Sequence, residues 1–171
     1  MNYPIEPLRS HHNRPDFCCG NEALDRYFHE RIRRDIEAGV AAAFAVANGP
    51  AVLGYYTLSA HSIERESLPE DVVKKLKLPR YPFIPATLMG RLAVDRGYQG
   101  RGLGEILLLD GLERSYTHSR QVASFAVMVD AKENAVEFYL GYGFMRLPPG
   151  QRMFIPMSTI KKLIGAPPRP S

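Results

Sequence analysis

Apolar residues recur at every fourth position through Leu24, Phe28, Ile32 and Ile36, the spacing that gathers them on one face of a helix. Asn21 stands where an N-cap belongs and Gly39 where a helix would unwind, so the spacing predicts a helix between them. The pattern then shortens. Residues 42–47 and 52–59 flank Asn48-Gly49-Pro50 and predict two strands joined as a hairpin. Ser67-x-x-Glu70, with Pro69 between, has the form of a capping box and predicts a short basic helix to about Leu78. Prolines at 79, 82 and 85 predict a loop after it. Leu88 to Val94 reads as a buried strand, Leu103 to about Tyr116 as an apolar-faced helix, and Val122 to Val129 as another strand. Asp130-x-x-Glu133 repeats the capping-box pattern ahead of "NAVEFYLGYGF", and two short strands near Phe144 and Phe154 complete the order.

Helices and strands alternating in this way predict an α/β (α+β) chain. At 171 residues and 45% hydrophobic, it has the material for one well-cored domain, expected over residues 1–165, with the proline-rich residues 166–171 frayed. No linker, repeat or low-complexity segment interrupts it. No apolar run approaches the ~18 residues of a membrane span and no apolar signal region opens the chain, so a cytoplasmic protein without membrane contact is expected. Cys18 and Cys19 are adjacent, an awkward geometry for a disulfide, and are expected as free thiols. His11 and His12 have no metal-ligand spacing with either cysteine; both read as surface residues, and no metal site is expected.

Charge adds a second pattern. The net charge is only +4, but residues 72–103 hold seven basic side chains against one acidic, and residues 138–171 hold five against none. Such blocks are either ordinary solvated surface or a face for a polyanion, a phosphate-bearing cofactor or a nucleic acid. Arg31, Arg33 and Arg34, interspersed with Glu30, Asp35 and Glu37, read as a solvated helix face.

The first basic block contains "GRLAVDRGYQGRGLGEILL", residues 90–108, with a glycine at every second position from Gly100 to Gly104. A glycine turn from strand to helix leaves backbone N–H groups unblocked where the helix N-terminus favours an anion. Three glycines exceed what a tight turn needs. A Walker loop would require Lys and Ser or Thr where Glu105 and Ile106 stand, and neither Gly100 nor Gly102 has the third glycine of the dinucleotide fingerprint. What remains is Gln99-Gly100-Arg101-Gly102-Leu103-Gly104, which fits Q/R-x-x-G-x-G/A after the strand "RLAV".

With that loop and the later "NAVEFYLGYGF", the sequence resembles the Gcn5-related N-acetyltransferase (GNAT) superfamily. The resemblance implies the GNAT fold: a mixed, mostly antiparallel central sheet with flanking helices. "FCCGNEALDRYF", "LGYYTLSAHSI", "LPRYPFIPATLMGRLAVD" and "RMFIPMSTIK" look further like the acetyltransferase toxins of type II toxin-antitoxin modules. This implies acetyl-CoA as cofactor, the α-amino group of aminoacyl-tRNA as acceptor, blocked translation, a homodimer and a ribbon-helix-helix antitoxin. It places Gln99, Gly100, Arg101, Gly102, Leu103 and Gly104 at the cofactor pyrophosphate, Leu92, Ala93 and Val94 along the pantetheine arm, and Asn134 on that arm. Arg96 and Arg101 could add charge-assisted bonds to a phosphate.

Tyr139, among Phe138, Tyr142 and Phe144, reads by spacing alone as a core aromatic. The family pattern instead sets it against the thioester sulfur, as the acid that protonates the departing thiolate. A free α-amino group has a reference pKa of ~8 against ~10.4 for lysine, so this acceptor has little need of a strong base. For the RNA, the basic candidates are Lys74, Lys75, Lys77, Arg80, Arg91, Arg146 and Arg152, with Lys161 and Lys162 behind them. Tyr81 and Phe83 are placed to stack on a base. The competing expectation is an ordinary GNAT enzyme acetylating a small amine or a protein N-terminus or lysine. A regulator that binds acetyl-CoA without turnover is the third class, and the intact "FY" argues against it.

Overall fold

The computed structural model describes residues 3–165; the tail expected to fray lies outside them. Seven strands form one sheet in the order β1-β2-β3-β4-β5-β7-β6, with β1 Ile5–Pro7, β2 Ala42–Asn48, β3 Ala51–Glu64, β4 Phe83–Val94, β5 Ala126–Asp130, β6 Met145–Arg146 and β7 Arg152–Pro156. The β1–β2, β2–β3, β5–β7 and β6–β7 pairings are antiparallel. By contacts the chain divides into two units, residues 1–59 with 89–111 and residues 60–88 with 112–171. The divisions fall inside β3, β4 and the helix α4, Leu103–Ser119, rather than in linkers. Among the described residues no helix is long and apolar enough to cross a membrane.

The first unit opens with β1 and a helical run over 22–37: α1 Glu22–Arg26, a π turn Tyr27–Arg31 and α2 Ile32–Glu37. Asn21 caps it, its side chain accepting the Leu24 N–H at 3.1 Å, and Gly39 leaves it at φ 72°. The fourth-residue spacing buries Phe28 and Ile32 against Phe17 and Tyr55, whose rings lie 4.5–5.4 Å from one another. The opposite face carries the exposed pairs Arg26–Glu22 and Arg33–Glu37, so it is the solvated face expected. The hairpin of β2 and β3 pairs Phe44 with Tyr56, and their rings stack at 5.3 Å.

The second unit packs Ile63, Leu68, Val72, Met128, Leu147 and Phe154 together. It holds α3 Glu70–Lys75, α5 Val136–Leu140 and α6 Met157–Leu163. Both expected capping boxes are absent here. Pro69 itself is the N-cap of α3, because a residue ahead of a proline is driven to extended backbone; Leu68, at φ −76° and ψ 143°, separates Ser67 from the helix. Asp130 ends β5 and pairs with Arg152 at 3.0 Å, so the chain turns later, through a 3₁₀ turn Glu133–Ala135 capped by Lys132 without a side-chain bond.

Three strand boundaries also differ from expectation, the first being that β3 runs five residues past the expected Ser59, to Glu64. β4 begins at Phe83 and includes Pro85, which lacks a donor but whose carbonyl accepts the Phe125 N–H at 2.7 Å. Residues 122–125 are not strand: the N–H groups of Gln121 and Val122 close α4 on the His118 carbonyl, and Val122 is exposed.

Candidate functional site

In the first unit β4 delivers the chain into a short, tightly tied loop. The Asp95 N–H bonds the Leu53 carbonyl at 2.8 Å, and its carboxylate caps the 3₁₀ turn Arg96–Tyr98 by accepting the Gly97 N–H at 2.9 Å. Gly100 and Gly102 follow at φ 77° and 81°, left-handed conformations that side chains resist, and α4 starts at Leu103. Open space surrounds the position a Cβ would take at either glycine. Residues 99–102 are exposed, Gly104 is half-exposed, and Leu103 is buried. The loop therefore offers backbone donors, with the unpaired N–H groups of the first turn of α4, to an approaching anion. The helix is seated by Gly54, where a Cβ would meet Leu107 Cδ1 at 2.7 Å and the Ala93 carbonyl at 3.0 Å.

The structure thus brings together Leu92, Ala93, Val94 and Gln99 to Gly104. Ala93 is buried in the core, with Leu92 and Val94 half-buried beside it. Gln99 does more than pass through the loop: its side-chain amide donates to the carbonyls of Cys19 at 2.8 Å and Val94 at 2.9 Å. Arg96 and Arg101 are exposed, the Arg101 guanidinium lying 5.2 Å from the Tyr98 ring centre. Arg91 is less available, since its guanidinium sits 3.6 Å over the Tyr27 ring, whose hydroxyl donates to Asp35.

In the second unit Tyr139 lies on α5, 7% exposed, its ring edge-on to Phe138 at 5.2 Å and Phe144 at 5.1 Å. It is at once the core aromatic its spacing suggested and a buried phenol whose hydroxyl has no hydrogen-bond partner among the described residues. Burial pushes its pKa up to about 12. Asn134 is exposed in the 3₁₀ turn ahead of α5. Lys74, Lys75, Lys77 and Arg80 are all exposed, next in sequence to Tyr81 and Phe83, which are 67% and 57% exposed. Arg146 and Lys162 are also exposed and Lys161 half-exposed, while Arg152 is held by Asp130.

Cys18 and Cys19 are free thiols, as expected, but half-buried. Their backbone joins the loop, with the Arg96 N–H on the Cys18 carbonyl at 2.8 Å and the Cys18 N–H on Asp95 at 3.1 Å. Nothing in local spacing announces a contact across 77 positions. His12 corrects the surface reading: it is 3% exposed, because its ring closes a turn by accepting the Arg9 N–H at Nδ1 and meeting Glu6 at Nε2, 2.8 Å away. Glu6, His11 and His12 bring their ligand atoms within 4.8 Å of one another. With Nδ1 accepting from Arg9, Nε2 is the nitrogen that meets Glu6.

An acetyltransferase (GNAT) domain family matches residues 86–160, a span holding both the glycine loop and Tyr139. Relatives extend the match over nearly the whole chain. A probable toxin TacT of Sinorhizobium fredii is 31% identical, covering 95% of this chain and 93% of its own length. A tRNA-acetylating toxin of Mycobacterium tuberculosis is 30% identical over 87% of this chain and 89% of its own. Among solved structures, AtaT complexed with acetyl-methionyl-tRNAfMet superposes with a TM-score of 0.86 at 31% identity, covering 95% of this chain and 99% of its own. A mutant AtaT bound to the C-terminus of the antitoxin AtaR and acetyl-CoA gives 0.82 at 28% identity, covering 96% and 99%. A seven-stranded sheet, a glycine loop opening a long helix and this likeness from end to end have one meaning: the chain belongs to the GNAT acetyltransferase family.

Proposed function

We propose that the protein is an acetyl-CoA-dependent N-acetyltransferase toxin that acetylates the α-amino group of aminoacyl-tRNA, blocks translation and is silenced by a cognate antitoxin. The observation that carries the reading is the loop of residues 99–104, whose left-handed glycines open a row of backbone donors at the start of α4. That cradle suits a pyrophosphate. The acceptor is supported by relatives: one of them is a tRNA-acetylating toxin, and AtaT has been seen with an acetylated aminoacyl-tRNA. The antitoxin is supported by AtaT bound to AtaR. A cytoplasmic location, a homodimer and a ribbon-helix-helix antitoxin belong to the same reading.

Acetyl-CoA supplies the acetyl group as a thioester. Gln99 to Gly104 hold its pyrophosphate, chiefly through the main chain, with Arg96 and Arg101 adding charge. Leu92, Ala93 and Val94 offer backbone to the pantetheine arm, and Asn134 offers its amide. Tyr139 holds a proton on Oη throughout the neutral range, since burial has raised its pKa; its hydroxyl, without a partner among the described residues, would give that proton to the departing thiolate, and the proton shed by the attacking amine would restore the phenol. Lys74, Lys75, Lys77, Arg80 and Arg146 take the phosphates of the RNA. Arg91 and Arg152, each engaged within the protein, contribute less.

The test is a cell-free translation reaction with wild type or Tyr139→Phe, with and without acetyl-CoA, followed by mass spectrometry of aminoacyl-adenosine released by nuclease. The expected result is a cofactor-dependent block with one acetyl group added to the aminoacyl moiety, and neither with the variant. Undisturbed translation with unmodified aminoacyl-tRNA across all amino acids would move the acceptor to a small-molecule or protein amine.

A further inference from the structure

Residues 18–25 and 94–99 share a closed set of hydrogen bonds that none of the roles above uses. The Asp25 carboxylate accepts the backbone N–H of Cys19 at 2.8 Å and of Gly20 at 3.4 Å. Burial works against its charge, but the bonds from the Cys19 backbone and its neighbours outweigh that and hold its pKa below the usual range, so it is ionised at neutral pH. The turn it fixes presents two carbonyls to the cofactor loop, Cys18 to the Arg96 N–H and Cys19 to the Gln99 amide, both at 2.8 Å. In return Cys18 donates its N–H to Asp95, the residue that caps the first turn of the loop. The fit is close: a Cβ on Gly20, itself at φ 94°, would lie 3.1 Å from Arg96 Nε.

We propose that Asp25 is a positioning residue for cofactor binding, acting through the Cys18-Cys19-Gly20 turn to hold Asp95, Arg96 and Gln99; this rests on the acetyl-CoA reading above. A loop that binds through backbone donors is only as good as their alignment, and a glycine-rich segment has the most freedom to lose on ordering. The turn removes that freedom before the ligand arrives. The carboxylate of Asp25 is engaged by the backbone of the turn, so its effect falls on ground-state binding of the cofactor.

In the test, Asp25→Asn exchanges two acceptor oxygens for one, facing an amide donor toward an N–H. The KM for acetyl-CoA rises about five- to tenfold, kcat at saturating acetyl-CoA stays within twofold, and the KM for aminoacyl-tRNA is unchanged. Asp25→Glu, which keeps both oxygens, recovers part of the shift. Tyr55→Phe, which removes a bond to the Leu24 carbonyl in the same core, lowers the melting temperature without moving that KM. Gln99→Met cuts the clasp from the other side, and its shift combines with that of Asp25→Asn less than additively. A fall in melting temperature or active fraction at Asp25→Asn with an unchanged KM would overturn the proposal, as would an unchanged KM for Gln99→Met if Asp25→Asn does not fold. Calorimetry of wild type with acetyl-CoA separates the levels: no binding there overturns the functional reading and this inference with it, whereas tight binding shared equally by wild type and Asp25→Asn overturns this inference alone.

Discussion

The loop of residues 99–104 and the surroundings of Tyr139 serve one proposed reaction by opposite means. The loop is exposed, carries its donors on the backbone and is defined by side chains it lacks, at Gly100 and Gly102. Tyr139 is buried among Phe138 and Phe144 and is defined by one oxygen. The first is damaged by adding atoms and the second by removing one. A binding element can therefore be tuned gradually through backbone freedom, while an acid in a core is either present or absent.

The sharpest break in that comparison is Tyr139→Phe. It preserves the ring packing and removes the proton donor, so kcat should fall about 10²- to 10³-fold with the melting temperature and acetyl-CoA affinity unchanged. Steady-state acetylation beside calorimetry checks this, and a fall in affinity instead would make Tyr139 a packing residue. Gly102→Val acts in the reverse sense. A β-branched residue at φ 81° strains the loop, so acetyl-CoA affinity should drop at least about tenfold, with Gly102→Ala intermediate, as titration calorimetry would show.

The second unit also carries the proposed RNA-binding surface, and there charge should dominate. Lys74→Glu with Lys75→Glu should weaken RNA binding several-fold at moderate salt and flatten its salt dependence by about two in slope. Arg152→Ala, which only releases Asp130, should change the slope little; fluorescence titration over a salt series separates the two. The smallest effect expected is none. Because burial raises the Tyr139 phenol to about 12, the donor stays protonated through pH 10, and kcat should not decline between pH 8 and 10. A decline with a midpoint near the ordinary ~10 of a phenol would mean that the hydroxyl is solvated in the working enzyme.

What is legible in the sequence is what lies in local spacing. Asn21 and Gly39 bound their helical run because caps act within a few residues, and the glycines at 100 and 102 declared themselves because only glycine takes those angles freely. Tyr139 was visible through a motif, not through its chemistry, since a core aromatic and a buried acid have the same spacing. Ser67 and Asp130 misled because competing demands, the proline at 69 and the β5–β7 ladder, moved the helix starts. β1, three residues long, and α6, following Pro156, carry too little periodicity to be seen. The burial of His12 and the service of Asp25 to the loop depend on what the folded chain brings beside them.

The clasp between residues 18–25 and the cofactor loop sets an order of assembly. Its bonds join positions nearly half the chain apart, and a contact of that span is made only after the loop-closure entropy between them has been met. The glycine motif is written in a dozen residues, yet its brace is synthesised first and must wait for it. A ribosome making this chain completes the brace 77 positions ahead of its partner Asp95, so the cradle reaches its full affinity for the cofactor only when the two ends of the clasp have met.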